Sequence, residues 1–178
     1  SDAKDSAVLS GLKTLGAQVF IGHQESNIGD ADILVVSSAI DQSNPEIMAA
    51  SAKGLTIMTR AQALALLMSE SKSVAVAGTH GKTTTSSMLM TVLREAQLHP
   101  SFIIGGEVRG IGSGATWDSG DHLVVEADES DGTHEQLPLG AVIVTNIDID
   151  HLDHFSTFDN MVESFERFIN AVAGPRVV

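Results

Sequence analysis

The feature that most constrains this chain is an apolar segment, Val74-Ala75-Val76-Ala77, that runs into Gly78-Thr79-His80-Gly81-Lys82-Thr83 and then into a helical pattern. Four consecutive apolar residues without alternation read as a strand buried on both faces, as in parallel sheets. Glycines after such a strand let backbone N–H groups converge on one point, and the next helix adds the positive end of its dipole. That combination cradles phosphate oxygens. Gly78, Thr79, His80, Gly81, Lys82, Thr83 and Thr84 are therefore expected to hold ATP, with Lys82 on the β- and γ-phosphates and the Thr83 hydroxyl on Mg²⁺. The common spacing, Gly-x-x-x-x-Gly-Lys-[Ser/Thr], wants a glycine where this chain has Val76, so the loop is a shortened one that opens at Gly78.

The remaining residues repeat the alternation of strand and helix. Ile33-Leu34-Val35-Val36 and Thr56-Ile57-Met58 read as strands, and Val19-Phe20-Ile21 as a shorter one. Val8, Leu9, Leu12 and Leu15 recur at helical spacing before Gly16, and Pro45 opens a helix that reaches about Lys53. Thr59 caps a further helix bearing Ala63, Leu66 and Leu67. After Lys82, a helix is expected to present Met88, Leu89, Val92, Leu93 and Ala96 on one face. Ser101 to Ile104 reads as a strand, Gly105 to Gly120 as a glycine-rich loop, and His122–Val125 and Ala141–Val144 as strands. The last helix, from about Thr157 to Ala173, carries Phe158, Met161, Val162, Phe165, Ile169 and Val172 in a stripe, with Ser156 and Asp159 spaced as a capping box. The fold class is thus α/β. The polar stretch Ser69–Ser73 is the expected boundary between a first domain, residues 1–71, and a second, residues 72–178. Ser1-Asp2 resembles the end of a strand and Gly174–Val178 the start of one, so the chain reads as a fragment of something longer.

Charge narrows the function. The 178 residues carry a net charge of −13, which disfavours binding to nucleic acid or to an anionic membrane. No apolar run approaches the ~20 residues that span a bilayer. Zero cysteines exclude a disulfide framework and a thiol nucleophile, and fit a reducing cytoplasm. From Gly110 through Glu166 there are 13 acidic residues and no Lys or Arg, a distribution that reads either as a solvated acidic surface or as a site whose charge divalent cations balance. Two acidic clusters follow apolar strands. Glu126-Ala127-Asp128-Glu129-Ser130-Asp131 would lie at the carboxyl end of its strand, where open parallel sheets bind ligands, and Glu126 is the expected Mg²⁺ carboxylate. Thr145-Asn146-Ile147-Asp148-Ile149-Asp150-His151-Leu152-Asp153-His154 should end at the same edge, with His151 as a candidate metal ligand. His23, His99, His122 and His134 have no companions in sequence and read as ordinary surface or core residues.

Together the phosphate loop (with Thr84 and Thr85), the acidic run after Val125 and the Thr145–Asp153 cluster resemble the Mur ligases of peptidoglycan synthesis. His80 in the loop, the acidic run, Ser37-Ser38-Ala39-Ile40 and Asn44-Pro45-Glu46-Ile47 are similar to the branch that acts on UDP-N-acetylmuramate and L-alanine. The resemblance implies a Rossmann-like UDP-binding domain lacking its first strand, then part of a central ATPase-type domain, with a C-terminal amino-acid-binding domain beyond Val178. It implies that Lys82 holds the γ-phosphate, that Thr83 and Glu126 bind Mg²⁺, that His151 binds a second Mg²⁺ and that Asn146 contacts phosphate or substrate. The catalytic set would be Lys82, Asn146 and His151. No lysine follows Lys82, and Glu166 is the carboxylate on offer in place of the carbamylated lysine of other members. By itself the chain is expected to bind nucleotide weakly and form no amide. Alternatives at this point are a murein-peptide ligase, folylpolyglutamate synthase, a non-catalytic nucleotide-binding module and a simple nucleotide hydrolase.

Overall fold

The computed structural model describes residues 1–37, 39–108, 111–127, 137–138, 140–149 and 155–178, and of Glu107 its backbone alone. The chain divides into two units, Ser1–Ala63 and Leu64–Val178.

In the first unit, Ser6 caps helix α1 (Ala7–Thr14) by accepting the Leu9 N–H, and Gly16 takes a φ of +90° just beyond its end. A single 3₁₀ turn, Glu25–Ile28, precedes strand β1 (Ile33–Val36). Helix α2 (Pro45–Ala52) starts where Pro45 has no N–H to lose and Asn44 accepts the Glu46 N–H. Strand β2 (Thr56–Thr59) pairs in parallel with β1, Ile33 opposite Thr56 through Val36 opposite Thr59. Ile28, Ala49 and Ala50 form the core here, with Leu34 and Leu55 against it. The expected strand at Val19–Ile21 does not form. Ile21 makes one isolated bridge to Asp2, and both Phe20 and Ile21 stay exposed, so the run lacks the neighbour that would extend it.

Helix α3 (Arg60–Ser69) begins with a reciprocal cap: Thr59 Oγ1 accepts the Gln62 N–H and Gln62 Oε1 accepts the Thr59 N–H. The division between units falls within this helix.

The second unit is built on strands β3 (Lys72–Ala77), β4 (Ser101–Val108), β5 (Ser113–Thr116), β6 (His122–Glu126), β7 (Ala141–Val144) and β8 (Arg176–Val177). Among the described residues their order across the sheet is β5-β4-β6-β3-β7-β8, with the β4–β5 pair antiparallel and the other pairs parallel. Helices α4 (Lys82–Glu95) and α5 (Phe158–Asn170) lie in the same unit. Apolar β3, β6 and β7 form its centre: Ala75, Ala77, Leu123, Val125 and Val142 bury against Met161, Phe165 and Phe168 of α5. A second cluster, Met90, Phe102, Ile104, Val108 and Val124, joins α4 to β4 and β6.

Three expectations change here. Of the expected Gly105–Gly120 loop, residues 105–108 extend β4 and residues 113–116 form β5 antiparallel to it, while 117–120 stay outside any strand. On α4 the buried residues are Ser86 and Met90, with Leu89 and Leu93 packed beside them, whereas Met88 and Val92 are each 64% exposed. The helix is rotated so that its small Ser86 meets the sheet. Thr157 rather than Ser156 caps α5, accepting the Asn160 N–H at 3.2 Å, while Ser156 sits at φ +66° in the preceding turn.

Candidate functional site

Because β6, β3 and β7 lie side by side and parallel, their carboxyl ends share one edge of the sheet. Val76 stands opposite Glu126, and Ala77 opposite Val144. The chain crosses from one side of β3 to the other between β6 and β7, and ligands of open α/β sheets bind outside such a crossover.

Gly78 leaves β3 buried and at φ +127°. A Cβ there would strike the Thr145 hydroxyl and lie 2.8 Å from the Asn146 carbonyl oxygen, so only glycine lets the two loops pass this closely. Gly81, at φ +82°, has no side chain to cap α4, and the acceptor for the first-turn N–H groups has to come from elsewhere. Thr84 is exposed in that turn.

The phosphate loop is stapled to the segment after β7. The Thr79 N–H donates to the Asn146 carbonyl at 3.1 Å. Thr79 Oγ1 accepts the Asp148 N–H at 2.9 Å and lies 3.3 Å from the Asp148 carbonyl oxygen. Asn146 grips the His80 backbone from both sides, its Oδ1 accepting the N–H at 3.0 Å and its Nδ2 donating to the carbonyl at 2.7 Å. The Thr145 hydroxyl donates to the same carbonyl at 2.6 Å. Asn146 and the Thr79 hydroxyl thus hold the loop's shape. Lys82 Nζ donates to the carbonyls of Gly78 at 2.7 Å and Thr79 at 3.5 Å, spanning the mouth of the loop.

On the β6 side, the Thr83 hydroxyl lies 3.1 and 3.0 Å from Glu126 Oε1 and Oε2, and the Gly105 N–H donates to Oε2 at 2.8 Å. Thr83 and Glu126 therefore meet from different elements beside Lys82. A hydroxyl and a carboxylate are the oxygen donors a hard cation prefers. Among the described residues no group of three or more His, Cys, Asp or Glu forms a cage. A hydroxyl beside a carboxylate is a donor pair that suits Mg²⁺, which is commonly held by one or two carboxylates together with phosphate oxygens and water. His151, the acidic residues Asp128–Asp131 and the cluster at 150–154 lie outside the described residues, as do Ser38 and His134. Glu166 is exposed on α5, with no hydrogen bond to the loop or to Glu126 among the described residues.

The first unit holds a cleft of about 910 Å³ at the carboxyl end of β1, lined in part by Val36, Ser37, His23, Asn27 and Glu46. Glu46 is 8% exposed. It accepts from Ser1 Oγ and Asn27 Nδ2, each at 2.6 Å, and from the Gln24 N–H at 3.4 Å, with His23 Nδ1 at 3.5 Å. Burial pushes this carboxyl up, but donation from Ser1, Asn27 and Gln24 together with His23 outweighs it and holds the group below its ordinary value.

Residues 76–178 match the Mur ligase middle domain, and residues 1–72 match the Mur ligase family, catalytic domain. The chain belongs to the Mur ligase family. This Mur ligase chain is 49% identical over 172 residues to a protein of Rhodopseudomonas palustris named UDP-N-acetylmuramate–L-alanine ligase, covering 97% of the chain and 37% of that protein. It is 51% identical over 168 residues to a Bdellovibrio bacteriovorus protein of the same name, covering 94% of the chain and again 37% of the relative. The chain thus spans little more than a third of the length of these relatives. Among solved structures, it superposes on UDP-N-acetylmuramate-alanine ligase from Thermotoga maritima with a TM-score of 0.84 at 27% identity, covering 97% of the chain and 41% of that structure. A UDP-N-acetylmuramate:L-alanyl-γ-D-glutamyl-meso-diaminopimelate ligase from Neisseria gives a TM-score of 0.81 at 27% identity, over 97% and 59%.

Several residues that shape these sites have no role assigned by motif. Thr145 belongs to the Thr145–Asp153 cluster, but nothing in that cluster announces its bond to the loop. Gly105 lay in an expected loop. The Ser1, His23, Asn27 and Glu46 set comes from separate segments, and no spacing announces it.

Proposed function

We propose that this Mur ligase chain forms the ATP-handling site and the nucleotide-sugar cleft of an enzyme that joins L-alanine to UDP-N-acetylmuramate, with ATP converted to ADP and phosphate. The observation that carries the reading is the meeting of Thr83 and Glu126 beside Lys82, at the end of the central strand. The names of the relatives supply the acceptor and the amino acid. In this reading residues 1–71 take the UDP moiety in the cleft at the end of β1, and residues 72–178 take ATP.

Lys82 leaves the carbonyls of Gly78 and Thr79 and places its ammonium on the β- and γ-phosphates. Asn146 and Thr145 hold the His80 peptide, which fixes the loop ahead of the first-turn N–H groups of α4 that would meet phosphate. Thr83 and Glu126 hold Mg²⁺, which neutralises phosphate charge when bound. The lactyl carboxylate of the sugar attacks the γ-phosphorus and ADP leaves. The alanine amine then attacks the acyl carbon, phosphate leaves, and an amide and a proton result. Alignment and charge stabilisation suffice for such a transfer. The substrates carry nucleotides, which places the enzyme in the cytoplasm. No helix among the described residues is long and apolar enough to cross a membrane.

The test uses the full-length ligase that carries this segment. Supplied with ATP, Mg²⁺, UDP-N-acetylmuramate and L-alanine, it should yield ADP, phosphate and UDP-N-acetylmuramoyl-L-alanine in equal amounts. Lys82→Ala should lower the rate by at least ~100-fold with an unchanged circular dichroism spectrum, as expected when charge stabilisation of the transferring phosphoryl group is lost. Product formed from an alanyl-glutamyl-diaminopimelate peptide but not from L-alanine would overturn the assignment.

A further inference from the structure

Parallel pairing of β4 with β6 runs from Ser101 opposite Leu123 to Ile103 opposite Val125 and then stops. Two residues further, the Gly105 N–H donates at 2.8 Å to the side chain of Glu126 rather than to a ladder carbonyl. A Cβ built on Gly105 would lie 3.0 Å from Glu126 Oε1 and 3.2 Å from both Cδ and Oε2. The next glycine faces the carboxylate's partner: a Cβ on Gly106 would lie 3.0 Å from Thr83 Cγ2. Consecutive glycines within a strand weaken it, which calls for a local reason. Gly105 is not in the left-handed region, so backbone conformation does not demand glycine there. What it would crowd is the movable end of a side chain, not backbone.

We propose that Gly105 is a positioning residue for the cation-binding carboxylate. Its N–H holds Glu126 Oε2, and its missing side chain leaves room for the carboxylate to stand over Thr83. Oε1, whose only partner among the described residues is Thr83, is thereby presented on the side of the helix that begins at Lys82. The inference rests on the reading in which Thr83 and Glu126 hold Mg²⁺. It adds that β4, a strand with no motif of its own, sets the aim of that pair. Partners that orient metal ligands typically change metal affinity by 10–100-fold when lost, although they touch no metal.

The experiment measures Mn²⁺ binding by electron paramagnetic resonance, in the presence of ADP, on the full-length ligase. Gly105→Ala should weaken Mn²⁺ binding by at least ~10-fold while leaving metal-free ADP affinity and the thermal midpoint unchanged. The double variant Gly105→Ala/Glu126→Asp, with a carboxylate one methylene shorter, should recover part of the loss. In the otherwise natural sequence, Glu126→Ala should speed hydrogen exchange of the Gly105 amide, a readout that needs no glycine variant to fold. Wild-type Mn²⁺ binding by Gly105→Ala, alongside loss in Glu126→Gln, would overturn the role of Gly105 alone. Unchanged binding in Glu126→Gln would overturn the metal reading and this inference with it.

Discussion

Replacing Thr79 by valine preserves the shape of a side chain that is 6% exposed and deletes its hydroxyl. That hydroxyl accepts the Asp148 N–H at 2.9 Å and lies 3.3 Å from the Asp148 carbonyl oxygen, tying the phosphate loop to the segment after β7. A buried polar group stripped of its partner costs about 1–3 kcal/mol, but Asp148 is exposed and water can reach its backbone. The loss should therefore sit at the lower end, about 1–2 kcal/mol, which is roughly 5–30-fold in the local opening equilibrium. Amide exchange followed by NMR reads that equilibrium residue by residue. The Asp148 amide should exchange roughly 5–30-fold faster in Thr79→Val, while amides in the centre of β6 should not change. Thr79→Ser keeps the oxygen and should retain the protection of Asp148. Equal acceleration in the serine and valine variants would mean that the methyl group, not the hydroxyl, holds the loop, and the reasoning would fail.

Two further outcomes follow from the backbone and from one carboxylate. Gly78→Ala combines φ +127° with a clash against Thr145 and the Asn146 backbone, so it should destabilise the second unit by at least ~2 kcal/mol, more than Gly81→Ala, whose Cβ would meet nothing within 4 Å; chemical denaturation of the two variants gives the order, and a milder Gly78→Ala would contradict it. Glu46, held below its ordinary 4.5, stabilises the first unit fully above pH 4.5, and this contribution disappears as pH falls through the lower folded-state value. Unfolding of the first unit, followed at its own amides, should therefore become easier below pH 4.5, and Glu46→Gln should flatten that part of the profile; a slope unaltered by Glu46→Gln would assign it to other groups.

What was legible in the sequence depended on how local its cause was. β3, β6 and β7 each contain a short apolar run, Val74–Ala77, Leu123–Val125 and Ala141–Val144, and burial on both faces writes itself into composition. The cap at Thr59 and Pro45 at the head of α2 act within one turn of helix, so they too could be read directly. The Val19–Ile21 run carried the same apolar signal, yet only Asp2 pairs with it. A strand exists through its neighbour, and no residue within the run reports on that. The glycine-rich stretch failed in the opposite sense, since Gly105, Gly106 and Gly114 read as loop yet sit in β4 and β5. There a side chain is excluded by carbonyls and carboxylates from elsewhere: a Cβ on Gly114 would lie 2.9 Å from the Ile104 carbonyl oxygen. The site divides in the same way. Lys82 and Thr83 follow from the loop pattern, whereas the grip of Asn146 on the His80 peptide depends on β7 lying beside β3, a fact of topology.

That topology also bears on where the polar side chains described around the loop turn. Thr79, Thr145 and Asn146 all turn their polar atoms onto backbone groups of the loop or its neighbour. They buttress the loop, and in the proposed reading recognition falls to the first-turn N–H groups of α4, to Lys82 and to the Thr83–Glu126 pair. A loop that reads phosphate through its own amides needs its peptide planes fixed, because each misdirected N–H weakens the oxyanion site it serves. In the proposed site Thr83 and Glu126 each supply oxygen, and a divalent cation that prefers near-octahedral surroundings would take further positions from phosphate and water. The order of events then has a physical cause. In that reading cation and nucleotide enter together, with the carboxylate's position set beforehand by groups that contact neither, the role proposed for the amide of Gly105.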